Sequence, residues 1–310
     1  MLLYLLKRIA GAVITLLLLV FFTFWMMKVV PGGPFDSEKA LPASVKVNLE
    51  AKYHLHDSAF GQFKSYLRDL VHFDLGVSYR YMGSRTVNEI ILETLPISAF
   101  LGIVAILVSL LIGIPAGVVA AYRQGSRLDH LITLFSSAGL SLPNFLVASV
   151  LVLVFAVKLN WFPPALWEGP LSAVIPITVL ALRPLALVAS LTRATMLDVL
   201  KQDFIRTAYA KGLSVRSVLF KHALKNSVLP IISLLAPLAA SVVTGSFVVE
   251  MIFAIPGLGK HFVSAVLDRD YPLVMGVTLV YGFLLIGANF LADVLYGVFD
   301  SRVRVTSHEA

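Results

Sequence analysis

Six stretches of this chain, at 9–30, 95–122, 131–157, 174–195, 228–249 and 273–296, are each long and apolar enough to form a membrane-crossing helix. A bilayer core needs about 20 predominantly apolar residues per helix, and within hydrocarbon each backbone N–H and C=O must find its partner inside the segment. This leaves an all-α membrane protein of six transmembrane helices as the expected fold. The composition agrees. Hydrophobic residues make up 58% of the chain and charged residues 14%, whereas soluble domains carry roughly 45–50% apolar and about 25% charged residues. Pro115, Pro143, Pro176, Pro184 and Pro237 fall within or near the ends of the apolar runs, where they predict kinks that neighbouring helices can accommodate. The first run follows Lys7-Arg8, as in a secretory leader, but it is too long for one and no small-residue cleavage site follows it. It reads as an uncleaved span. The chain has no cysteine, which excludes disulfides, thiolate metal sites and thiol nucleophiles.

The net charge of +7 would suggest a nucleic-acid partner in a soluble chain. Here the basic residues gather in the loops beside the spans. Thirteen Lys/Arg lie on the side that holds the N-terminus, and only Lys158, Lys260 and Arg269 lie in the short loops opposite. The positive-inside rule therefore places both termini in the cytoplasm, and orientation accounts for the charge without nucleic acid. The long first loop, 31–94, carries two apolar stripes at helical spacing: Val45, Leu49 and Tyr53, then Phe60, Phe63, Leu67, Leu70 and Val71. They predict two short amphipathic helices that cap the outer membrane face and pack on the ends of the spans.

The loop at 196–227 is different in kind. Over 193–225 it has seven Lys/Arg against two acids, Asp198 and Asp203. Arg206, Thr207, Ala208, Tyr209, Ala210, Lys211, Gly212 and Leu213 read as a short helix ended by glycine, and Val215, Val218, Leu219, Ala223 and Leu224 as a second apolar face. Topology alone would explain the positive charge. The small residues before a glycine turn add a helix–turn–helix able to sit in a partner's groove, with Lys and Arg flanking it.

These residues carry a resemblance. Arg206-Thr-Ala-Tyr-Ala-Lys-Gly-Leu213, with Lys221-His-Ala-Leu-Lys-Asn-Ser-Val-Leu-Pro230, resembles the coupling loop of ATP-binding-cassette (ABC) importer permeases of the peptide-uptake branch, in particular the B-type subunit. Pro31-Gly-Gly-Pro-Phe35, Glu50-Ala-Lys-Tyr-His-Leu55, Asp74-Leu-Gly76, Ser141-Leu-Pro-Asn-Phe145, Glu250 through Gly259, Asp268-Arg-Asp-Tyr-Pro272 and Asp300-Ser-Arg-Val-Arg304 extend it over nearly the whole chain. Two departures stand out. The Glu-Ala-Ala triplet of the wider importer pattern falls on Arg206-Thr207-Ala208, and Ser301 replaces a common proline.

The resemblance implies the type I importer permease fold and the non-catalytic membrane subunit of an oligopeptide importer in a bacterial inner membrane. Its implied partners are a second, C-type permease subunit, two cytosolic ABC ATPases, a periplasmic or lipid-anchored peptide-binding protein, the peptide and the lipid bilayer. ATP and Mg would sit on the ATPases, with no cofactor on this chain, and 207–213 would pass on the ATPase movement. Dipeptides, murein peptides, nickel chelates and oligosaccharides are alternative cargoes. Arg183, Asn144 and Glu250 are the candidates for the translocation path. For Arg183, a structural ion pair or a place nearer the interface explains the charge equally well. Asp293 lies near the end of its span, which favours a structural role.

Other chemistries fare poorly. Ala254-Ile-Pro-Gly-Leu-Gly-Lys-His261 lacks the first glycine and the Ser/Thr of a phosphate-binding loop, and reads as a Pro-Gly turn. His54-Leu-His56-Asp57 does not place its ligands on one helical face and has no supporting cluster. A self-contained secondary transporter would need an intramembrane Asp/Glu/His relay or paired halves, and neither is visible.

Overall fold

The computed structural model describes residues 2–35, 43–53, 55–243 and 247–299. Among these the regular structure is helical, apart from one isolated bridge between Val77 and Thr86. The chain divides into two compact units: the part up to Ile97 with Pro256–Ile286, and Ser98–Ile255 with the part from Gly287 on.

The first unit contains α1 (Leu2–Val29), α2 (Ala43–Lys52), α3 (Ala59–Val71) and the start of α4 (Val87–Tyr122). The expected pair of short helices in the first loop is therefore present. Ser58 caps α3 by accepting from the Gly61 N–H at 3.1 Å, which satisfies one of the donors a helix start leaves open. Phe63, Leu67 and Leu70 pack with Tyr66 onto Val20, Phe24 and Met275. Phe60 and Val71 point outward instead, so the stripe is narrower than the sequence suggests. Gln62 joins the pieces: its Nε2 donates to the carbonyls of Leu55 and Asp57, and its Oε1 accepts from Lys28 Nζ at 2.5 Å.

Asp270, fully buried, fastens the same unit. It accepts from the Ser78 hydroxyl and from the backbone N–H groups of Tyr79 and Arg80, immediately before Tyr271 begins a long helix. The neighbouring Asp268 pairs with Arg80 at 2.6 Å.

The second unit holds the rest of α4, then α5 (Arg127–Ser141), α6 (Asn144–Leu151) continuing as a π-helix over Val152–Lys158, and α7 (Val174–Leu200) after a 3-10 turn at Pro170–Ala173. The sequence at 131–157 predicts one kinked span, but the structure breaks it harder. The helices on either side of Leu142 and Pro143 are bent by 111°. Leu142 is extended because the proline ring disfavours a helical residue before it, and Pro143 offers no N–H to continue the ladder. Among the described residues, four helices are long and apolar enough to cross a membrane, and the number reaches six if each of two bent pairs, 127–158 and 215–239, is one span. The upper number equals that of the six apolar runs, although the second pair begins in the basic loop at Val215 and not at 228.

α7 is the axis of this unit, and glycine lets two neighbours close on it. A Cβ on Gly117 of α4 would lie 2.5 Å from Thr192 Cβ and 2.6 Å from the Ala189 carbonyl; one on Gly113 would lie 3.0 Å from the Leu185 carbonyl. The spacing Gly113-x-x-x-Gly117 is the small-residue pattern that brings membrane helices into backbone contact. On α5, Gly139 does the same against Ala186.

The chain continues through α8 (Asp203–Ala210), then α9 (Val215–Ser217), a π turn over Val218–Ala223 and α10 (Leu224–Ser227), which run on from one another. α11 (Leu229–Val243) and α12 (Phe247–Ile252) complete the fifth apolar run, α13 (Leu258–Leu267) follows the Pro-Gly turn, and α14 (Tyr271–Phe299) is the last span. Asp293's side chain, His54 and the 300–304 motif lie outside the described residues.

Candidate docking surface and the residues behind it

The basic loop folds as its residues suggest. In α8, Thr207 returns its hydroxyl to the Asp203 carbonyl at 3.0 Å. Lys211 ends the helix, and Gly212 takes φ +76°, a left-handed conformation that a side chain resists. There its N–H donates to the Tyr209 carbonyl at 2.9 Å, and the Leu213 N–H reaches Ala208. Ser214 then caps the next helix by accepting from the Ser217 N–H. The turn is thus defined by backbone bonds within 208–217 and needs no partner to form.

One face of this helix–turn–helix is anchored. Ile205, Ala208, Val218, Leu219 and Ala223 are buried together with Val118 and Ala121 from the end of α4 and Met196 and Val199 from the end of α7. Fully burying an aliphatic side chain such as Val218 or Met196 contributes about 1.5–3 kcal/mol, so the base is firm. The buried positions 218, 219, 223 and 227 follow a widened spacing because a π turn runs through them.

The other face is open. Arg206, Lys211, Arg216 and Lys221 are exposed among Phe204, Tyr209, Leu213, Val215 and Phe220. Arg206 meets Asp203 at 3.5 Å, but both side chains are largely solvated and the pair adds little. Burial against the loop, with Tyr122 nearby, pushes the Tyr209 phenol up from its usual range.

One expectation changes here. Ala208 was read as a small residue offered to a partner; it faces inward, 6% exposed, and lets α8 sit close on α7 and α4. Ala210 is the small residue on the open side. Gly212 ends the helix as the sequence suggests, and among the described residues nothing lies within 4 Å of a Cβ placed there. Its requirement comes from φ.

Behind the dock, Arg193 of α7 holds Asp129 of α5 with Nε at 2.6 Å and a second nitrogen at 2.9 Å, while the Gly125 N–H also donates to Asp129. Sequence reasoning counted Arg193 among the charges that set orientation and missed this pair. The one signal, Asp129 three residues after the capping Ser126, is common at helix starts.

The three path candidates lie on helices that pack against one another: Arg183 on α7, Asn144 at the start of α6 and Glu250 on α12. Arg183 is exposed and Asn144 half-buried. Glu250 is 1% exposed and accepts from the Ser98 hydroxyl at 2.8 Å.

A family profile described as the binding-protein-dependent transport system inner membrane component matches residues 113–305, which include the dock, the Asp129–Arg193 pair and all three path candidates. The chain belongs to this family. Its members include full-length relatives. The dipeptide transport system permease protein DppB of Bacillus subtilis is 44% identical over 97% of this chain and 98% of its own length. The oligopeptide transport system permease protein OppB of Salmonella typhimurium is 43% identical over 98% of this chain and its own whole length. Among solved structures, a chain of the inward-facing MetNI methionine ABC transporter superposes with a TM-score of 0.54 at 16% identity, covering 68% of this chain and 96% of that one. That likeness concerns the fold, which is the type I ABC importer permease fold anticipated from the coupling-loop motif.

Proposed function

We propose that this chain is a permease subunit of an ATP-driven importer of short peptides, oriented with the dock and both termini in the cytoplasm. The observation that carries the reading is the self-supporting helix–turn–helix whose inner face is fixed to the ends of α4 and α7 and whose outer face presents cations and aromatic side chains. A cytosolic ATPase seated on Arg206, Tyr209, Lys211 and Phe220 would push on Ile205 and Ala208. These residues bear on Met196 and Val199 of α7, and Arg193 carries the displacement to α5 through Asp129. Rigid-body transmission needs no chemistry on this chain. ATP and Mg belong to the ATPases.

The remaining partners are a second permease subunit, which completes the path beside Arg183, Asn144 and Glu250, and a peptide-binding protein on the outer side. The named relatives support peptide cargo, oligopeptides and dipeptides alike.

Gentle purification of the tagged chain from its host, followed by identification of what comes with it, tests the reading. A second multi-span permease and Walker-motif ATPases are expected, and the assembly should take up peptides in liposomes only with ATP. Purification alone, with ATP-independent transport, would replace it with secondary transport.

A further inference from the structure

The first unit contains a cavity of about 280 Å³ that the proposed transport mechanism does not use. It lies between the end of α1, the two short helices and the start of α14, and all its lining residues belong to that unit. The volume lies at the small end of ligand pockets, which run to about 300–1,000 Å³ for drug-sized molecules.

Its polar groups are arranged by sign. Half-buried in the lining is Lys28, whose ammonium donates to Gln62 Oε1 at 2.5 Å and lies 5.5 Å from the Phe24 ring centroid and 5.7 Å from that of Tyr271. An ammonium has three donors, and the Gln62 amide oxygen uses one without neutralising the charge. Tyr53 and Tyr66 also line the cavity, and their hydroxyls are buried with no hydrogen-bond partner among the described residues. A buried hydroxyl without a partner is destabilising, and a bound acceptor removes that cost. Burial pushes the Tyr66 phenol up, so it remains an O–H donor at any physiological pH. The exposed charges of the lining are the carboxylates of Asp57, Asp69 and Asp74 and one ammonium, Lys52, which lies 5.5 Å from the Tyr53 ring centroid.

The exposed charges are net negative, three carboxylates against Lys52, which disfavours a plain anion, and the half-buried Lys28 ammonium disfavours a plain cation. A molecule with a carboxylate at one end and an ammonium at the other satisfies both. We propose that this cavity binds a small zwitterion, a free short peptide of about two residues, with its carboxylate toward Lys28 and Tyr66 and its ammonium toward Asp69 and Asp57. Peptide as the natural source rests on the proposed function; the selection for a zwitterion rests on the cavity.

The test uses the complete membrane assembly in nanodiscs, without nucleotide or binding protein, and measures equilibrium binding of labelled L-alanyl-L-alanine. Saturable binding is expected, weakened ten-fold or more by Lys28→Met and several-fold by Asp69→Asn, and absent for N-acetylalanine methylamide, which has neither charge. Tyr66→Phe separates ligand binding from structure. Removing an unpartnered hydroxyl should leave the thermal midpoint of the empty protein unchanged or raised, while the dipeptide affinity falls at least three-fold.

No saturable binding, equal binding of the capped probe, or full affinity in Lys28→Met and Tyr66→Phe would overturn the assignment. So would displacement of the dipeptide by micromolar glycerophosphoethanolamine, which would make the occupant a lipid headgroup. ATP-driven peptide uptake by the wild-type assembly, measured in parallel, distinguishes the two ideas: uptake without binding at this cavity removes only the cavity, and loss of uptake removes the proposed function.

Discussion

Arg193 and Asp129, 64 positions apart, form a two-bond ion pair in which the carboxylate is nearly inaccessible and the guanidinium partly so. The planar fork of arginine matches both oxygens, which a lysine at the same place would not do. The pair ties α5 to α7 immediately behind the dock.

Removing one partner leaves the other charge partly desolvated. Arg193→Gln or Asp129→Asn should each destabilise the protein by about 2–3 kcal/mol, less than for a fully enclosed pair because Arg193 keeps 29% side-chain exposure. A double-mutant cycle on thermal unfolding should give strong coupling. Additive single effects would dissolve the tie. If the pair transmits movement, the variants should hydrolyse ATP in the assembly with reduced uptake per ATP.

At Gly212 the left-handed φ of +76° sets the outcome. Gly212→Val should cost about 1–2 kcal/mol at the turn and misdirect Leu213, lowering transport while membrane insertion stays intact. Gly212→Asn, which tolerates that backbone region, should retain most uptake. Equal loss in both variants would point to contact with a partner instead of conformation.

Gly117 is the sterically critical position on α4. Gly117→Ala places a methyl carbon 2.5 Å from Thr192 Cβ and 2.6 Å from a backbone carbonyl, so the helices must separate. A loss of about 1–3 kcal/mol is expected, and Gly117→Leu should not assemble. Gly11, a helical glycine with nothing within 4 Å of an added Cβ among the described residues, serves as the control, and Gly11→Ala should leave the midpoint nearly unchanged. Thermal midpoints of the three variants decide the matter.

His261 offers a pH handle. Burial, and the cations Lys260, Arg80 and Arg85 against the opposing pull of Glu93, depress its protonation below the ordinary 6.5. The unfolded chain therefore binds the proton more readily. Stability is complete above pH 6.5 and declines as pH falls through that value toward the depressed one. Between pH 7.5 and 5.5 the wild-type midpoint should drop further than that of His261→Gln. Parallel curves would exclude His261 as the source.

Much of this was legible in the residues. Apolar run length marks a span because hydrocarbon offers no hydrogen bonds, and the dock is readable because its glycine and its caps act locally. The Gly113–Gly117 contact is likewise written locally, as a four-residue spacing of small residues. What was not legible depends on pairings across long sequence separations. Nothing near Glu250 points to Ser98, 152 positions away, and nothing near Ser78 points to Asp270. The break at Pro143 was recognised as a kink, but the angle depends on what α6 packs against, which local chemistry does not contain.

The π turn at Val218–Ala223 carries a practical consequence for anyone mapping this surface by labelling. Each residue of an α-helix advances about 100° around the axis, whereas a π turn advances less, so the residues beyond it are out of phase with those before by roughly one position. A cysteine scan along 214–227, fitted to a single helical wave, would assign Lys225 and Asn226 to the wrong side of the helix. Fitted as two waves joined at the turn, the same labelling data should trace one continuous accessible stripe from Arg216 through Lys221 to Lys225.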